Sequence, residues 1–186
     1  MWALVESWSL ASQPAGSTAA NGAFGGQSVA TVGGYSCWNQ TSGWNYLWIP
    51  HPDPSASRMA IEVDVYVNTA SAEFLVMPIV DGPFWIPSTF IRNGIGFDST
   101  RAWSTISYSS TTLATYSALA ASSVWVTVRQ DVDLIEGTVT VYRDGVEVGS
   151  AGVDTAAAVG SNVLFSSFQP FSGSHCFQNL NFYTAP

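Results

Sequence analysis

The stretch WVTVRQDVDLIEGTVTVYRDGVEVGS, residues 125–150, has the pattern of two linked β-hairpins. Runs rich in valine and threonine at 124–130, 138–142 and 146–148 predict three short strands. Residues 133–137 supply the first connection, and Asp144-Gly145 is the kind of residue pair that most strongly favours a two-residue hairpin turn. The stretch therefore predicts consecutive antiparallel strands and a β-rich fold.

Outside this stretch, β-patterned runs separated by Gly, Pro, Asn and Asp continue along the chain. They lie at 45–49, 60–67, 73–80, 84–91, 103–108, 163–168 and 177–183, with a further short strand at 3–10. Helical periodicity is almost absent, and residues 110–123 are the best candidate for a short helix. Residues 11–34 are rich in Gly, Ala and Ser, and we expect a loop there with one edge strand.

This distribution of elements predicts an all-β protein. Many short strands with turn residues between them, and little or no helix, are typical of a two-sheet antiparallel β-sandwich or jelly roll. No repeat and no change of composition divides the chain. We therefore expect residues 1–186 to form one domain, with an N-terminal strand and a Gly/Ala/Ser-rich loop in residues 1–36.

The run MAIEVDVYV, residues 59–67, also indicates which of its faces is buried. Apolar and polar side chains alternate, at the period of two that a half-buried strand requires. The apolar set is Ile61, Val63, Val65 and Val67, and the opposite set is Glu62, Asp64 and Tyr66. We expect the first set in the core and the second set on a polar, accessible face.

Composition limits the partners that the protein can bind. The chain has 13 acidic residues, five arginines and no lysine, which gives a net charge of −8 without any basic cluster. Nucleic acids and anionic membranes attract clustered Lys and Arg, so neither is expected as a partner. No apolar run approaches the roughly 18 residues of a membrane-spanning helix. The N-terminal MWALVESWSL also lacks the basic start and long apolar core of a signal peptide.

Three segments of the chain carry a resemblance to a known family. They are SVWVTVRQDVDLIEGTVTVYRDGVEVGSA at 123–151, NYLWIPHPDPSASRMAIEVDVYV at 45–67 and FQNLNFYTAP at 177–186. Together they resemble laminin-G-like domains of the concanavalin A-like jelly-roll superfamily, over roughly residues 40–186. The resemblance implies a jelly-roll sandwich with Trp125, which opens the signature strand, in the core. The superfamily includes lectins, adhesion modules, glycan-degrading enzymes and virion proteins, so the function stays open.

Glu62 and Asp64 are the strongest candidates for catalysis. The laminarinase-like glucanases of this superfamily carry a strand motif Glu-x-Asp-x-(x)-Glu, and carboxylates at i and i+2 lie roughly 6–7 Å apart on one face of a strand. In this sequence Tyr66 or Val67 stands where the second glutamate, the general acid/base, is required. The sequence also does not place a lyase's Tyr or His base beside an arginine. We therefore expect no catalytic residues, with a glycan-active hydrolase or lyase as the alternative.

Calcium is the cofactor that the resemblance suggests, since many relatives carry it. The candidate ligands are the carboxylates Asp131, Asp133 and Asp144, all near turns. Aspartate is also favoured at turns for a different reason, because its side chain accepts hydrogen bonds from the nearby backbone. The sequence leaves both alternatives open: no cofactor, or one bound calcium.

The two cysteines, Cys37 and Cys176, are 139 residues apart, a spacing that matches no metal-binding motif. They could form one disulfide, provided that the compartment is oxidising. They could equally be two small buried side chains, because free cysteine is among the most buried residue types. The sequence does not decide between these two states.

The aromatic residues of WNYLWIP, residues 44–50, form the main candidate binding site. The resemblance implies that Leu47 and Ile49 are in the core, because they correspond to alternating apolar residues that the family buries. Trp44, Tyr46 and Trp48 then share the opposite face of the strand. That face is either covered by a loop such as 11–34, or exposed as a platform on which sugar rings stack. The residues that could join the platform are Asn45, Trp85 and Trp103.

These features favour a non-catalytic carbohydrate-binding or adhesion module on an exterior surface. Its partners would be a polysaccharide or glycan and other virion or surface proteins. An adhesion-type domain that starts at Met1 without an export signal favours assembly into a virion, as a bacteriophage decoration, tail or fibre component. One alternative is a purely structural virion protein that acts through protein–protein contacts. A second is a domain of a larger secreted glycan-active enzyme, which a disulfide would favour.

Overall fold

The structure, a computed structural model, contains sixteen strands and no helix in the residues that it describes. These residues are 1–20, 29–32, 34–40, 43–67, 73–80, 91–92, 94–97, 103–106, 112–116, 124–152, 162–169 and 175–186. The strands are β1 (Ala3–Trp8), β2 (Thr18–Ala20), β3 (Val29–Val32), β4 (Tyr35–Gln40), β5 (Gly43–Pro50), β6 (Arg58–Val67), β7 (Glu73–Val80), β8 (Ile91–Arg92), β9 (Gly94–Phe97), β10 (Trp103–Ile106), β11 (Thr112–Tyr116), β12 (Trp125–Asp133), β13 (Thr138–Arg143), β14 (Val146–Gly152), β15 (Asn162–Gln169) and β16 (His175–Thr184).

The strands form two antiparallel sheets. Sheet A has the order β14-β13-β12-β6-β16-β4-β3, with β1 also paired to β16. Sheet B has the order β11-β10-β9-β7-β15-β5-β2, with β8 also paired to β7. This architecture confirms the all-β, two-sheet antiparallel sandwich that the sequence predicts.

The core side of sheet A is centred on β6, which lies between β12 and β16. Val63 pairs with Val128 of β12, and Ile61 pairs with Phe182 of β16. The buried apolar side chains that these three strands place on the core side are Met59, Ile61, Val63, Val65, Val126, Val128, Val132, Phe177, Leu180 and Phe182. Burying a side chain of this size contributes about 1.5–3 kcal/mol, so this layer holds the sheet in register.

The burial of β6 confirms the alternation seen in the sequence. Ile61, Val63 and Val65 are at most 1% exposed, whereas Glu62, Asp64 and Tyr66 are only half-buried. The side chain of Val67 lies outside the described part of the structure. The polar set of β6 therefore lies on the outer face of sheet A.

The hairpin turn between β13 and β14 is also confirmed. Asp144 and Gly145 have φ angles of 50° and 79°, the left-handed pair that a two-residue hairpin turn of type I′ requires. Aspartate tolerates this region and glycine favours it, which is why the sequence signal is strong.

Two predictions for individual segments are wrong. Within 110–123 the structure has strand β11 at Thr112–Tyr116 rather than a helix, paired with β10. Its threonines favour the extended backbone, and the helical pattern was only weakly amphipathic. The 11–34 segment supplies two edge strands instead of one, because β2 pairs with β5 in sheet B and β3 pairs with β4 in sheet A. Most of the predicted strand 84–91 lies outside the described residues.

A disulfide joins Cys37 of β4 to Cys176 of β16. The two strands are neighbours in sheet A, and the Cα atoms of the two cysteines are 5.4 Å apart. Both side chains are buried, at no more than 1% exposure. The bridge closes a covalent loop that includes most of both sheets.

The N-terminal strand β1 lies at the edge of sheet A, paired with β16 from Ala3↔Thr184 to Trp8↔Leu180. Its side chains are mostly exposed, and Leu4 and Val5 are 56% and 42% accessible. The beginning of the chain therefore packs on its own sandwich. Within the described ranges, no helix is long and apolar enough to cross a membrane.

Candidate functional site

The outer face of sheet A, along β6 and β12, carries a row of facing polar and aromatic pairs. Antiparallel register places Trp125 opposite Tyr66, Thr127 opposite Asp64, and Arg129 opposite Glu62. In β12 the buried positions alternate with these half-buried positions along the whole strand. The alternation of a strand thus brings two rows of functional side chains onto one surface.

Trp125 lies on this outer face, which corrects the expectation that it belongs to the core. It is half-buried, and Val126 and Val128 occupy the core positions next to it. Its ring packs edge-on against Tyr35, with ring centroids 5.8 Å apart, and in a tilted arrangement against Tyr66, with ring centroids 5.5 Å apart. Tyr35 is 53% exposed, so the cluster has one open ring.

A pocket of about 290 Å³ opens beside this cluster. We call it the aromatic pocket, and its lining is Tyr35, Asp64, Trp125, Val126, Thr127, Asp144, Gln178 and Asn179. Its volume is at the lower end of the roughly 300–1,000 Å³ of small-ligand pockets. The lining combines ring surfaces with carboxylate and amide groups, so it can offer both apolar contact and directional hydrogen bonds.

Asp64 is the polar centre of the aromatic pocket. One carboxylate oxygen accepts a hydrogen bond from the Thr127 hydroxyl at 2.6 Å, and the other accepts one from the Asn179 amide at 2.8 Å. Asn179 has a φ of 50° and lies where the pairing of β16 with β6 shifts, so a bulge presents its side chain to Asp64. Asp144, which also lines the pocket, is held in a similar way. Its carboxylate accepts a hydrogen bond from the backbone N–H of Thr127 at 2.9 Å.

The indole N–H of Trp125 is buried and has no hydrogen-bond partner among the described residues. A buried donor without a partner costs about 1–3 kcal/mol. Most buried polar groups in folded proteins are paired, so this donor is an exception. The ring is thus held in place by packing against the two tyrosines and not by its polar atom.

A second pocket of about 330 Å³ adjoins the first and shares Thr127 with it. We call it the arginine pocket, and its lining is Trp2, Glu62, Thr127, Arg129, Asp131, Tyr142 and Gly145. The Arg129 guanidinium lies 5.1 Å from the Trp2 ring centroid and 4.7 Å from that of Tyr183, within cation–π range. It also donates a hydrogen bond to the Asp131 carboxylate at 2.6 Å, so its positive charge is paired with a negative one.

Acidic and phenolic groups around Arg129 have shifted pKa values. Burial raises the pKa of the Asp131 carboxyl, although the hydrogen bond and charge of Arg129 act against this. Burial likewise raises the pKa of Tyr183, whose hydroxyl donates to Glu62 at 2.9 Å. Asn181 also donates to Glu62, at 3.3 Å. Glu62 and Asp64 therefore both act as acceptors that hold neighbouring side chains.

The aromatic residues predicted as a platform lie in the other sheet. Trp44, Asn45, Tyr46 and Trp48 are on β5, and Trp103 is on β10. Three strands separate β5 from β10 in this sheet, a distance of about 19 Å. Trp85 and the side chains of all these residues lie outside the described part of the structure. Ile49, predicted in the core, is 1% exposed.

The three candidate calcium ligands are not brought together. Asp131 bonds Arg129 in the arginine pocket, Asp144 lies in the β13–β14 turn, and Asp133 lies at the far end of β12. Asp133 accepts the backbone N–H groups of Ile135 and Glu136, which is the turn chemistry that the sequence offered as the alternative. Among the residues with described side chains, no group of three or more His, Cys, Asp or Glu could hold a metal ion.

Replacing Asp133 by asparagine is expected to weaken the pH dependence of stability. Burial acts to raise the pKa of Asp133, but hydrogen bonds from Glu136, Arg58 and Ile135 outweigh it and the pKa is lowered. Because the folded-state pKa is lowered, the ionised carboxylate stabilises the fold above about pH 4. This stabilisation is lost as the pH falls through the folded-state pKa. The variant should therefore be less stable than wild type at about pH 6, and the difference should shrink by about pH 3.

Thermal melting at a series of pH values measures this effect. Glu136→Gln is the matched control, because it removes one charge from a side chain that is 69% exposed in the same turn. A difference between Asp133→Asn and wild type that stays constant over the whole pH range would contradict the prediction.

Sequence reasoning missed Tyr35, Trp125 and Asn179 as residues of a site. A partial signal existed, because Glu62, Asp64 and Tyr66 were expected on an accessible face, and residues 125–133 alternate in the same way. The missing information was the pairing of β6 with β12 and β16, which joins residues far apart in sequence.

Comparison with known proteins supports the architecture. No family model and no curated protein sequence matches the chain. The solved Emp47p carbohydrate recognition domain is similar, with a TM-score of 0.66 and 14% identity over 97% of this chain and 95% of that domain. The receptor binding domain of botulinum neurotoxin type G has a TM-score of 0.63 and 10% identity over 97% of this chain and 47% of that chain. A Trypanosoma rangeli sialidase has a TM-score of 0.57 and 13% identity over 84% of this chain and 26% of that chain. The likeness at these identities establishes a shared β-sandwich fold.

Proposed function

We propose that this protein is a non-catalytic carbohydrate-binding module of the concanavalin A-like type, and that the aromatic pocket is its binding site. The observation that carries the proposal is the open ring of Tyr35, packed on Trp125, directly beside the carboxylate of Asp64. Aromatic rings supply apolar surface for the C–H face of a sugar, and carboxylates and amides accept or donate to its hydroxyls. The fold likeness to the Emp47p carbohydrate recognition domain supports the same proposal.

The hydrogen bonding on this sheet face favours binding over catalysis. Glycoside hydrolysis needs one carboxyl group that donates a proton and a second that acts as nucleophile or base. Glu62 and Asp64 instead accept hydrogen bonds that position Tyr183, Asn181, Thr127 and Asn179. The residue after them on the same face is Tyr66, which packs on Trp125.

We also propose that the module acts on an exterior surface, either extracellular or on a virion. The buried disulfide supports this location, because such bonds persist in oxidising environments. The low content of charged residues, 10%, suits a subunit with large protein contacts, as in a bacteriophage tail or fibre.

Binding of purified protein to an array of polysaccharides and glycans, with and without a chelator, tests the proposed function. Replacing Tyr35 by alanine should weaken binding by about ten-fold or more, because it removes the exposed stacking ring. Because Tyr35 is mostly exposed, this variant should fold normally. Ile135→Ala is the matched control, since Ile135 is 63% exposed in the β12–β13 turn, beyond the end of β12 that is remote from Trp125.

A glycan that binds wild type and Tyr35→Ala equally would place its site elsewhere, with the β5 aromatics Trp44, Tyr46 and Trp48 as the next candidates. Loss of binding in chelator would add calcium to the site. Binding to no glycan would overturn the proposed function.

A purely structural role is the second candidate, and one observation favours it. The edge strand β1 presents Leu4 and Val5 to solvent, at 56% and 42% exposure. Exposed apolar residues on an unprotected edge strand are typical of surfaces that pair with another protein. Self-association in sedimentation experiments, together with no glycan binding, would favour this role.

A further inference from the structure

The charges around the aromatic pocket are unevenly balanced. Asp64 and Asp144 both line it. The Arg143 side chain lies 3.3 Å from the Asp144 carboxylate and offsets its charge. Asp64 is bonded only by neutral groups, the Thr127 hydroxyl and the Asn179 amide, and has no cationic partner among the described residues. The pocket therefore carries a net negative charge at its centre.

Among the described residues, no cation other than Arg143 lies beside the pocket to reverse this charge. The nearest arginine along the strand, Arg129, is held by Asp131 and by the rings of Trp2 and Tyr183. Arg58 lies at the far end of β6, paired with Asp133. Arg92 is on β8 of sheet B, Arg101 lies outside the described residues, and the chain contains no lysine.

We infer that the aromatic pocket selects uncharged sugar residues and excludes those that carry a carboxylate or a sulfate. This inference rests on the proposed function and names its ligand class. An anionic substituent beside Asp64 meets a like charge, and the one described arginine at the pocket wall, Arg143, is already paired with Asp144. Repulsion at contact distance near a protein surface is substantial. Sites that recognise carboxylate or sulfate groups instead place an arginine where it can donate hydrogen bonds to the anion.

Asp64 also has the acceptor capacity that a neutral sugar needs. An ionised carboxylate offers about four lone-pair positions, and the two protein hydrogen bonds use one on each oxygen. The remaining positions can accept hydroxyl protons from a sugar, whereas a carboxylate or sulfate has no proton to donate there. Asp64 is thus the specificity-determining residue of the pocket.

The test compares matched ligands by titration calorimetry. One member of each pair is a neutral oligosaccharide, and the other is the same oligosaccharide with a terminal sialic acid or a uronic acid in place of a neutral sugar. Wild type should bind the neutral member at least about ten-fold more tightly, since this corresponds to one modest like-charge contact. Raising the salt concentration should reduce this difference in affinity, because salt screens the repulsion between the two negative charges.

At low salt, Asp64→Asn should reduce the difference in affinity between the neutral and the acidic oligosaccharide, because it removes the charge. The asparagine has the same shape and can still form hydrogen bonds with Thr127 and Asn179. Glu136→Gln, which makes the same change in net charge in the β12–β13 turn, should leave this difference unchanged. If the Asp64 variant is unstable, the difference in affinity measured with wild type and its dependence on salt still test the inference.

Two outcomes overturn the inference by itself: equal or tighter binding of the acidic member by wild type, or a difference in affinity that Glu136→Gln reduces as much as Asp64→Asn. Absence of binding by every oligosaccharide, neutral or acidic, overturns the proposed function and this inference with it.

Discussion

Replacing Phe182 by alanine will lower the free energy of unfolding by about 3–5 kcal/mol, the typical cost of deleting a fully buried aromatic ring. Phe182 is 0% exposed and lies on β16, opposite Ile61 of β6. Its ring also packs edge-on against His51, with ring centroids 4.8 Å apart. The substitution therefore leaves a cavity on the core side of sheet A, which the surrounding strands fill only in part.

Urea unfolding measures this loss. Val146→Ala is the control, because Val146 is 67% exposed on β14 and its truncation should change stability by less than about 0.5 kcal/mol. A loss below about 1 kcal/mol for Phe182→Ala would mean that the ring isn't part of a close-packed core.

Removing the disulfide with the double substitution Cys37→Ala and Cys176→Ala will cost about 3–5 kcal/mol and roughly 10 °C or more in melting temperature. The bridge spans 139 residues, so in the chain-entropy model it removes a large share of the freedom of the unfolded chain. A reducing agent should shift wild type toward the melting temperature of the double variant and leave the variant unchanged.

Wild-type protein that melts at the same temperature with and without reducing agent would contradict this prediction. Titration of free thiols in the protein from its native source tests separately whether Cys37 and Cys176 are bridged there. Two reactive thiols there would contradict the bridge and also remove the support that it gives to an exterior location.

The fold was predictable because its signals are local. The Asp144-Gly145 turn and the alternation of residues 59–67 each depend on neighbours within one strand or hairpin, and both are confirmed. Residues 110–123 show the limit of such reasoning. Their serines, threonines and alanines have weak preferences, so the pairing of β11 with β10 decided their structure.

The candidate site was predictable only in part because it depends on sheet pairing. The sequence shows that Glu62, Asp64 and Tyr66 share a face, but not that β12 and the bulge of β16 lie on either side of them. Trp125 illustrates the consequence. A tryptophan that opens a signature strand resembles a core residue until its register with Tyr66 places it on the outer face.

The position of β16 has a consequence for the way in which the protein is made. This last strand pairs with β1, β4 and β6, and Ala3 lies opposite Thr184. During translation β6 can meet β12 only after residue 133, and its other edge stays open until β16 leaves the ribosome. Sheets closed by such distant segments fold slowly, and their open edges can pair with other chains meanwhile. A nascent chain stalled before β16 is therefore expected to aggregate more readily than the folded protein.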